Sequence, residues 1–203
     1  MIRLILASTS HYRQELLSRL GLRFEVRSPA VDEIAEAGEA PAALAERLAA
    51  AKAASVHAAD AVVIGADQVA ALDGQRLRKP GAHDVALRQL LSCQGKTVVF
   101  HTAVMVIDGP SGKHWSHLDR TAVHFATLGS TELDRYLRIE KPYDCAGSFK
   151  AEGLGIALFE RIESSDPTAL MGLPLIWLSR TLSRAGFDPL VADGRALAER
   201  SVL

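Results

Sequence analysis

The sequence has few cysteines, almost no net charge and no long hydrophobic run. Its 203 residues include only two cysteines, Cys93 and Cys145, and neither belongs to a C-x-x-C pair. Neither a zinc knuckle nor a disulfide framework is therefore expected. No apolar stretch approaches the roughly 20 residues of a membrane span, and the amino-terminal run at residues 4–7 is too short for a signal peptide. These absences predict a cytoplasmic protein with reduced thiols.

The balance of charge excludes several classes of partner. The chain carries 23 Lys+Arg against 24 Asp+Glu, a formal net charge of −1, which does not steer a whole molecule to DNA, RNA or an acidic membrane. A local cluster of cations for a small anion stays compatible with it. Hydrophobic residues at 48% indicate a globular protein. The length predicts one domain over 1–203, arranged as two lobes around one site, with a variable tail from about residue 191.

Strand and helix patterns mix along the chain. Apolar or β-branched runs predict strands at 4–7, 24–31, 61–72, 97–107 and 117–128. Helical patterns cover 11–20, 41–57, 85–94, 132–138 and 174–184. Asp73-Gly74 predicts a hairpin, Ser130 or Thr131 is expected to cap the helix that follows, and 145–150 is expected to open a loop-and-strand region. The mixture predicts an α/β protein with a mixed sheet.

The first candidate site is the hydroxyl-rich loop Ser8-Thr9-Ser10 together with Arg13. A strand that feeds such a loop into a helix offers backbone N–H groups, a helix dipole, hydroxyl donors and one arginine, and all of these favour phosphate. Taken alone, the segment fits slightly better a simple arrangement in which Ser10 caps the helix and Arg13 is solvated. The P-loop pattern is absent.

Asp67 is the second candidate, because it directly follows the buried strand at 62–65. A carboxylate at the end of such a strand is a common general base or metal ligand. The alternative is a turn aspartate that bonds its own backbone. The neighbouring Gln68 and the apolar residues after it favour the functional interpretation.

Isolated charges elsewhere could join this carboxylate. Glu33, Lys52 and Lys79 would each alone be interpreted as solvated surface charges. Together with Arg13 and Asp67 they predict a site in which cations hold phosphate oxygens, while carboxylates hold a divalent ion and activate water.

Lys150 and Glu152 form a further candidate. On a strand they would share one face, and Glu152 could accept hydrogen bonds from the edge of a base; the alternative is a plain exposed ion pair. The seven histidines show no zinc-binding spacing, and no G-x-S-x-G pattern occurs, which disfavours covalent serine catalysis.

These segments together resemble one family. The resemblance lies in L-I-L-A-S-T-S-H-Y-R-Q-E-L-L, V-D-E, I-G-A-D-Q-V, K-P, C-A-G-S-F-K-A-E-G and G-L-P. They run collinearly from residue 2 to about 190 and resemble the Maf family of nucleoside triphosphate pyrophosphatases. Around Tyr12, Gln68 and Glu152 the sequence is similar to the YceF-like branch, which acts on 7-methyl-GTP, rather than to the dTTP/UTP branch.

The resemblance implies a fold and a reaction. It implies an inosine-triphosphatase-like α/β fold with an elongated mixed sheet, flanking helices and two lobes around a cleft, often in a homodimer. It implies an enzyme that uses a divalent cation, Mg²⁺ or Mn²⁺, to hydrolyse a nucleoside triphosphate to the monophosphate and pyrophosphate. The expected substrate is 7-methyl-GTP, as a housecleaning activity against modified nucleotides.

The resemblance also implies roles for nine residues. Asp67 matches the proton acceptor. The positions that set base specificity are Tyr12, Gln68 and Glu152. The phosphate-binding positions are Ser8, Arg13, Lys52 and Lys79, and the metal positions are Glu33 and Asp67.

Two positions depart from the pattern of the relatives. Tyr12 stands where the branch often has tryptophan, so stacking is kept with a smaller ring, and Gln14 stands where many relatives have a second arginine. Two other functions stay open: the same chemistry on another base, either dTTP/UTP or inosine-type, and a nucleotide-binding regulator of cell division without turnover. The presence of Asp67, Glu33, Lys52 and Lys79 disfavours the regulator, because a protein that only binds nucleotides needs no base.

Overall fold

The computed structural model describes residues 2–191, which form one mixed sheet of seven strands with five α-helices. The strands are β1 (Arg3–Ala7), β2 (Glu25–Arg27), β3 (Ala61–Leu72), β4 (Gln75–Leu77), β5 (Thr97–Asp108), β6 (Lys113–Phe125) and β7 (Phe159–Glu163). The helices are α1 (His11–Ser18), α2 (Pro41–Ser55), α3 (His83–Cys93), α4 (Ser130–Glu140) and α5 (Leu175–Arg184). Three short 3₁₀ turns lie at Ala146–Ser148, Leu154–Leu158 and Ala169–Met171. The tail predicted from about residue 191 falls, beyond Val191, outside the described residues.

The sheet confirms the prediction of a mixed α/β architecture. Its order is β2-β1-β3-β5-β6-β7, with β4 paired to β3. The first three strands are parallel, and every pairing from β3 onward is antiparallel. Almost every residue of β3 is buried, because helices cover both of its faces, and this explains its nearly continuous apolar sequence.

The two faces of β3 pack against different helices. Val62 and Ile64 join a core with the leucines of α1 and α5, whereas Val63 faces the opposite side, where Ala53 of α2 packs. Further along the first face, Ala70 and Leu72 join a second core with α3, α4 and a cluster of phenylalanines. Two apolar cores therefore follow one another along one face of β3, and α2 covers the other. Among the described helices, none combines the length and the apolar character needed to cross a bilayer.

The structure corrects the expected start of α4 and end of β6. The residue that caps α4 is Gly129 rather than Ser130 or Thr131. The Glu132 carboxylate accepts a hydrogen bond of 2.7 Å from the Gly129 N–H, so it supplies the capping contact from within the first turn. Strand β6 ends at Phe125, three residues before the predicted limit.

Residues 145–150 open a loop that leads to β7, as expected, but the strand predicted to carry Lys150 and Glu152 does not form. Gly147 and Ser148 take positive φ angles of 78° and 64° and turn the chain sharply. The turn directs Phe149 into the aromatic cluster, where its ring centroid lies 5.3 Å from that of Phe100 and 4.7 Å from that of Phe159. A second turn follows at residues 151–153. Packing of Phe149 thus overrides the extended pattern that the sequence suggests.

Candidate active site

The site lies where one edge of β3 loses its strand partner. β1 pairs with β3 as far as Ala7 opposite Gly65, and β4 pairs with β3 only from Ala70 opposite Leu77. Over residues 66–69 this edge is not covered by any strand in the part of the chain that the structure describes. Asp67 lies at the opening, which leads into a cleft of about 750 Å³.

All nine residues assigned by the resemblance line this cleft. They come from well-separated parts of the chain: the loop after β1, α1, the connection between β2 and α2, α2 itself, β3, the segment after β4, and the turn at 151–153. The sequence therefore predicted which residues meet. Their individual roles stay predictions.

The centre of the cleft is a cation between two carboxylates. The Lys52 ammonium lies 2.7 Å from Asp67 Oδ1 and 2.5 Å from Glu33 Oε1. Lys52 and Asp67 are only 5% and 7% exposed, and buried charges persist in proteins when they are paired. The resemblance implies a phosphate-binding role for Lys52, whereas in the structure its ammonium neutralises the two carboxylates that are expected at the metal. Lys52 thereby holds both carboxylates at one place.

A close approach of α2 to β3 explains why Lys52 meets Asp67. A methyl group at Gly65 would lie 2.3 Å from the carbonyl oxygen of Ala49 and 2.5 Å from the nitrogen of Ala53. Only glycine leaves room for the helix backbone to rest on the strand. Asp67 is two residues further along β3 and shares the face of Gly65, so it meets Lys52, which lies between the two alanines in α2.

A clamp on α2 holds the loop that carries Glu33. Arg47 donates to both carboxylate oxygens of Glu39, at 2.7 and 2.8 Å, and to the carbonyl of Ile34 at 3.1 Å. The hydrogen bond from Arg47 lowers the pKa of Glu39 to about 2. Partial burial raises the pKa of Glu33, but the hydrogen bond and charge of Lys52 outweigh it, so the pKa of Glu33 is lowered. Both carboxylates are therefore ionised at neutral pH.

The loop after β1 agrees in part with each of the two interpretations that the sequence left open, a phosphate-binding loop and a simple helix cap with a solvated Arg13. Ser10 caps α1, because its Oγ accepts from the Arg13 N–H at 3.4 Å, and the buried Ser8 Oγ accepts from the Ser10 N–H at 3.1 Å. Arg13 is not solvated, however: its Nε donates to the carbonyl of Gly172 at 3.0 Å. Burial lowers the pKa of Arg13, and the charges of Asp67 and Glu33 oppose that change. The guanidinium keeps its charge and lies close to these carboxylates.

Gln68 points to the opposite face of β3 from Asp67 and holds a wall of the cleft. Its Nε2 donates to the carbonyls of Ala169 and Leu170, both at 3.0 Å, and to Thr102 Oγ1 at 2.9 Å. The nitrogen is thus committed to protein acceptors. The structure places Gln68 as a support for the 169–171 turn, so any influence on the base through its nitrogen is indirect.

Tyr12 and Glu152 both line the cleft and are near enough for the charge of Glu152 to act on the phenol. Burial chiefly raises the pKa of Tyr12, and the nearby Cys145, Asp144 and Glu152 add to the increase, so the phenol is neutral. Glu152 is exposed and stands on the turn at 151–153 rather than on the predicted strand. The alternative, an exposed ion pair with Lys150, is not found among the described residues; the Lys150 ammonium points instead to the carbonyl of Glu140, 3.5 Å away.

The cleft also contains residues that sequence reasoning missed. Arg76 and Arg78 line it from the β4 hairpin, and the run R-L-R-K after the Asp-Gly turn was the signal for them. Cys145 lies beside Tyr12, and burial raises the pKa of its thiol to about 12, so it is not an activated nucleophile.

The residues fit one kind of metal site. Among residues 2–191 there is no group of three His, Cys, Asp or Glu side chains placed to hold a metal. Glu33 and Asp67 nevertheless meet at one ammonium. Mg²⁺ is commonly bound by one or two carboxylates plus substrate phosphates and water, so this pair fits a cation that arrives with a polyphosphate.

The fold and the cleft define an α/β protein in which one buried and one exposed carboxylate lie among several cations at a gap in the edge of the sheet. The model of the family described as "Maf-like protein" matches residues 3–185, and the chain belongs to that family. A relative from Cupriavidus metallidurans is 54% identical over 91% of this chain and 94% of its own length. Another from Xanthomonas axonopodis pv. citri is 57% identical over 93% of this chain and 99% of its own length. Both are named 7-methyl-GTP pyrophosphatase. A solved structure, a HAM1 protein from Coxiella burnetii, is 13% identical with a TM-score of 0.49, over 91% of this chain and 100% of its own.

Proposed function

We propose that this protein hydrolyses 7-methyl-GTP to 7-methyl-GMP and pyrophosphate. The observation that carries the proposal is the Lys52–Asp67–Glu33 cluster at the gap in β3, with cations and an aromatic-acidic end in the same cleft. Relatives at 53–58% identity that are named for this activity support it.

Asp67 is the proposed general base. Lys52 bonds its Oδ1, and no described residue bonds Oδ2, which is left to take a proton from water. The water oxygen attacks phosphorus, the α–β phosphoanhydride breaks, and pyrophosphate leaves with the electron pair. General-base catalysis of this kind contributes roughly 10²–10⁴-fold in rate.

A divalent cation, Mg²⁺ or Mn²⁺, is part of the proposal. Held by Glu33 and Asp67, it would supply charge neutralisation to the triphosphate. Arg13 and Lys79, which line the same cleft, add positive charge where the phosphate oxygens are expected.

Tyr12 and Glu152 are the proposed base-recognition residues. Methylation at N7 gives the purine a positive charge, which an aromatic face attracts by about 0.5–2 kcal/mol. The Glu152 carboxylate can accept from the guanine N1–H and exocyclic amine, and its negative charge also favours the methylated base. Uracil and thymine present a different edge and leave Glu152 poorly paired.

The cellular setting extends the proposal. We propose a cytoplasmic location, and the homodimer implied by the resemblance is a prediction that light scattering of the purified protein tests.

A substrate panel tests the proposed function. Purified protein with Mg²⁺ is given 7-methyl-GTP, GTP, ITP, UTP and dTTP, and the release of pyrophosphate and of phosphate is measured separately. We expect pyrophosphate as the product, the highest kcat/KM on 7-methyl-GTP, and loss of activity with a chelator. Faster hydrolysis of UTP, dTTP or ITP would contradict the base assignment, and binding without turnover would indicate a regulator instead.

A further inference from the structure

We propose that Arg76 and Arg78, with Lys79, bind the pyrophosphate part of the substrate. The inference rests on the proposed function and deepens it, because it states where the leaving group lies and which side chains discriminate a triphosphate from a monophosphate.

The pairing of β4 with β3 sets the direction of these arginines. Ala70 lies opposite Leu77, and Leu77 packs against the core that contains Phe100. The next pair along the hairpin, Ala71 with Arg76, therefore points to the other face of the sheet, the face on which Asp67 meets Lys52. Arg78 follows two residues later, and both arginines line the cleft.

The two faces divide the cleft into a base side and a phosphate side. Gln68 bonds the turn at 169–171 on one face, and Glu152 lies beside the same turn, since both border a smaller cavity next to the cleft. Lys52, Asp67 and the arginines belong to the other face. A nucleotide whose base lies at Glu152 and whose scissile bond lies at Asp67 therefore extends its β- and γ-phosphates toward β4.

The charges in the cleft support the same direction. Lys52 is neutralised by two carboxylates, and the Nε–H of Arg13 donates a hydrogen bond to the carbonyl of Gly172. By contrast, none of the ion pairs described in residues 2–191 involves Arg76, Arg78 or Lys79, and the charge of Lys79 acts on Glu33 only from a longer distance, where it helps to lower the pKa of that carboxyl.

The acidic residue that faces Arg76 does not neutralise it. The charge of Arg76 contributes slightly to the lowered pKa of Glu39, but both carboxylate oxygens of Glu39 accept hydrogen bonds from Arg47. The guanidinium fork matches phosphate oxygens in geometry and charge, so the unpaired arginines suit a polyphosphate.

The test separates the two halves of the substrate. Binding of inorganic pyrophosphate and of 7-methyl-GMP, each with Mg²⁺, is measured by calorimetry for wild type, Arg78→Gln and Arg76→Gln/Arg78→Gln. Arg88→Gln is the matched control, because Arg88 is an exposed arginine of α3 away from the cleft. We expect each substitution to weaken pyrophosphate binding by about tenfold, as for a lost charged hydrogen bond, with 7-methyl-GMP binding and the control unchanged.

Three results would overturn the inference: no binding of pyrophosphate by wild type, unchanged pyrophosphate affinity in the double variant, or equal weakening of both ligands. Failure of the proposed function is distinguishable from these. If the wild type does not hydrolyse 7-methyl-GTP, and the arginine variants nevertheless bind pyrophosphate more weakly than the wild type, the proposed reaction is refuted and the pyrophosphate subsite is supported.

Discussion

The Lys52 ammonium and the Asp67 carboxylate lie 2.7 Å apart, although both side chains are almost fully buried. A buried pair of this kind is costly to break, because removal of one partner leaves an uncompensated charge. Glu33 shares the same ammonium at 2.5 Å. Lys52, on α2, therefore connects that helix to β3 through Asp67 and to the loop at residues 28–40 through Glu33.

Replacement of Lys52 tests this relationship. In Lys52→Met the Asp67 and Glu33 carboxylates lose their shared cation, so we expect a loss of about 3–5 kcal/mol in the free energy of unfolding and a loss of most turnover. Denaturant unfolding and pyrophosphate release measure the two effects. Lys113→Met is the control, since Lys113 is exposed at the start of β6. If Lys52→Met keeps wild-type stability and kinetics, the ion pairs of Lys52 contribute to neither folding nor catalysis.

A methyl group at Gly65 should disturb the site from a distance. Gly65→Ala forces the backbone of α2 away from β3 near Ala49, which moves Lys52 relative to Asp67. We expect a loss of about 1–3 kcal/mol in stability, as for overpacked cores, and a fall of about 10² in kcat, because small misplacements of catalytic groups are expensive. Thermal melting and steady-state kinetics check both, and an unchanged kcat would refute the contact's importance.

The Arg47–Glu39 clamp predicts a pH dependence of stability. The pKa of Glu39 falls from 4.5 to about 2 on pairing with Arg47, so the folded state favours the ionised carboxylate. Its contribution is complete above the unfolded pKa of about 4.5 and is lost as the pH falls toward 2.

Unfolding free energies of wild type and Glu39→Gln, measured from neutral to acidic pH, test this. We expect wild type to be more stable at neutral pH and the difference to shrink below the unfolded pKa. A difference that does not change with pH would show that the carboxylate charge is irrelevant.

The base end of the cleft predicts a change in selectivity rather than in stability. Tyr12→Ala and Glu152→Gln should each reduce the ratio of kcat/KM for 7-methyl-GTP to that for GTP, because the aromatic face and the negative charge both favour the cationic base. Glu160→Gln, at an exposed position of β7, is the control for the second substitution. If the ratio stays at the wild-type value in both variants, Tyr12 and Glu152 do not recognise the base.

Local patterns were sufficient to predict most of the fold. The apolar run of β3, the Ala-rich α2 that begins at Pro41 and the Asp73-Gly74 hairpin all have the predicted type, because propensity and burial agree at these elements. The turn at Gly147-Ser148 could not be found in this way, since it depends on the distant aromatic cluster around Phe149.

Nine members of the candidate site could be predicted from the sequence, but Arg76 and Arg78 were missed and the contacts within the site could not be predicted. The sequence motifs predicted that Arg13, Glu33 and Asp67 share one site, and all three line the cleft. The pairing of Lys52 depends on where α2 rests on Gly65, and the gap in β3 depends on where β1 and β4 stop. Both are matters of tertiary register, which spacing along one sequence does not contain.

The most direct test of the account is kcat for Mg²⁺-dependent hydrolysis of 7-methyl-GTP by Asp67→Asn, with Glu46→Gln, at an exposed position of α2, as the control. Removal of a general base costs roughly 10²–10⁴-fold in rate, so we predict a loss of that size in Asp67→Asn, with a folded protein by circular dichroism and a control that turns over like wild type. A kcat for Asp67→Asn within about twofold of wild type, far short of that general-base contribution, would contradict the account.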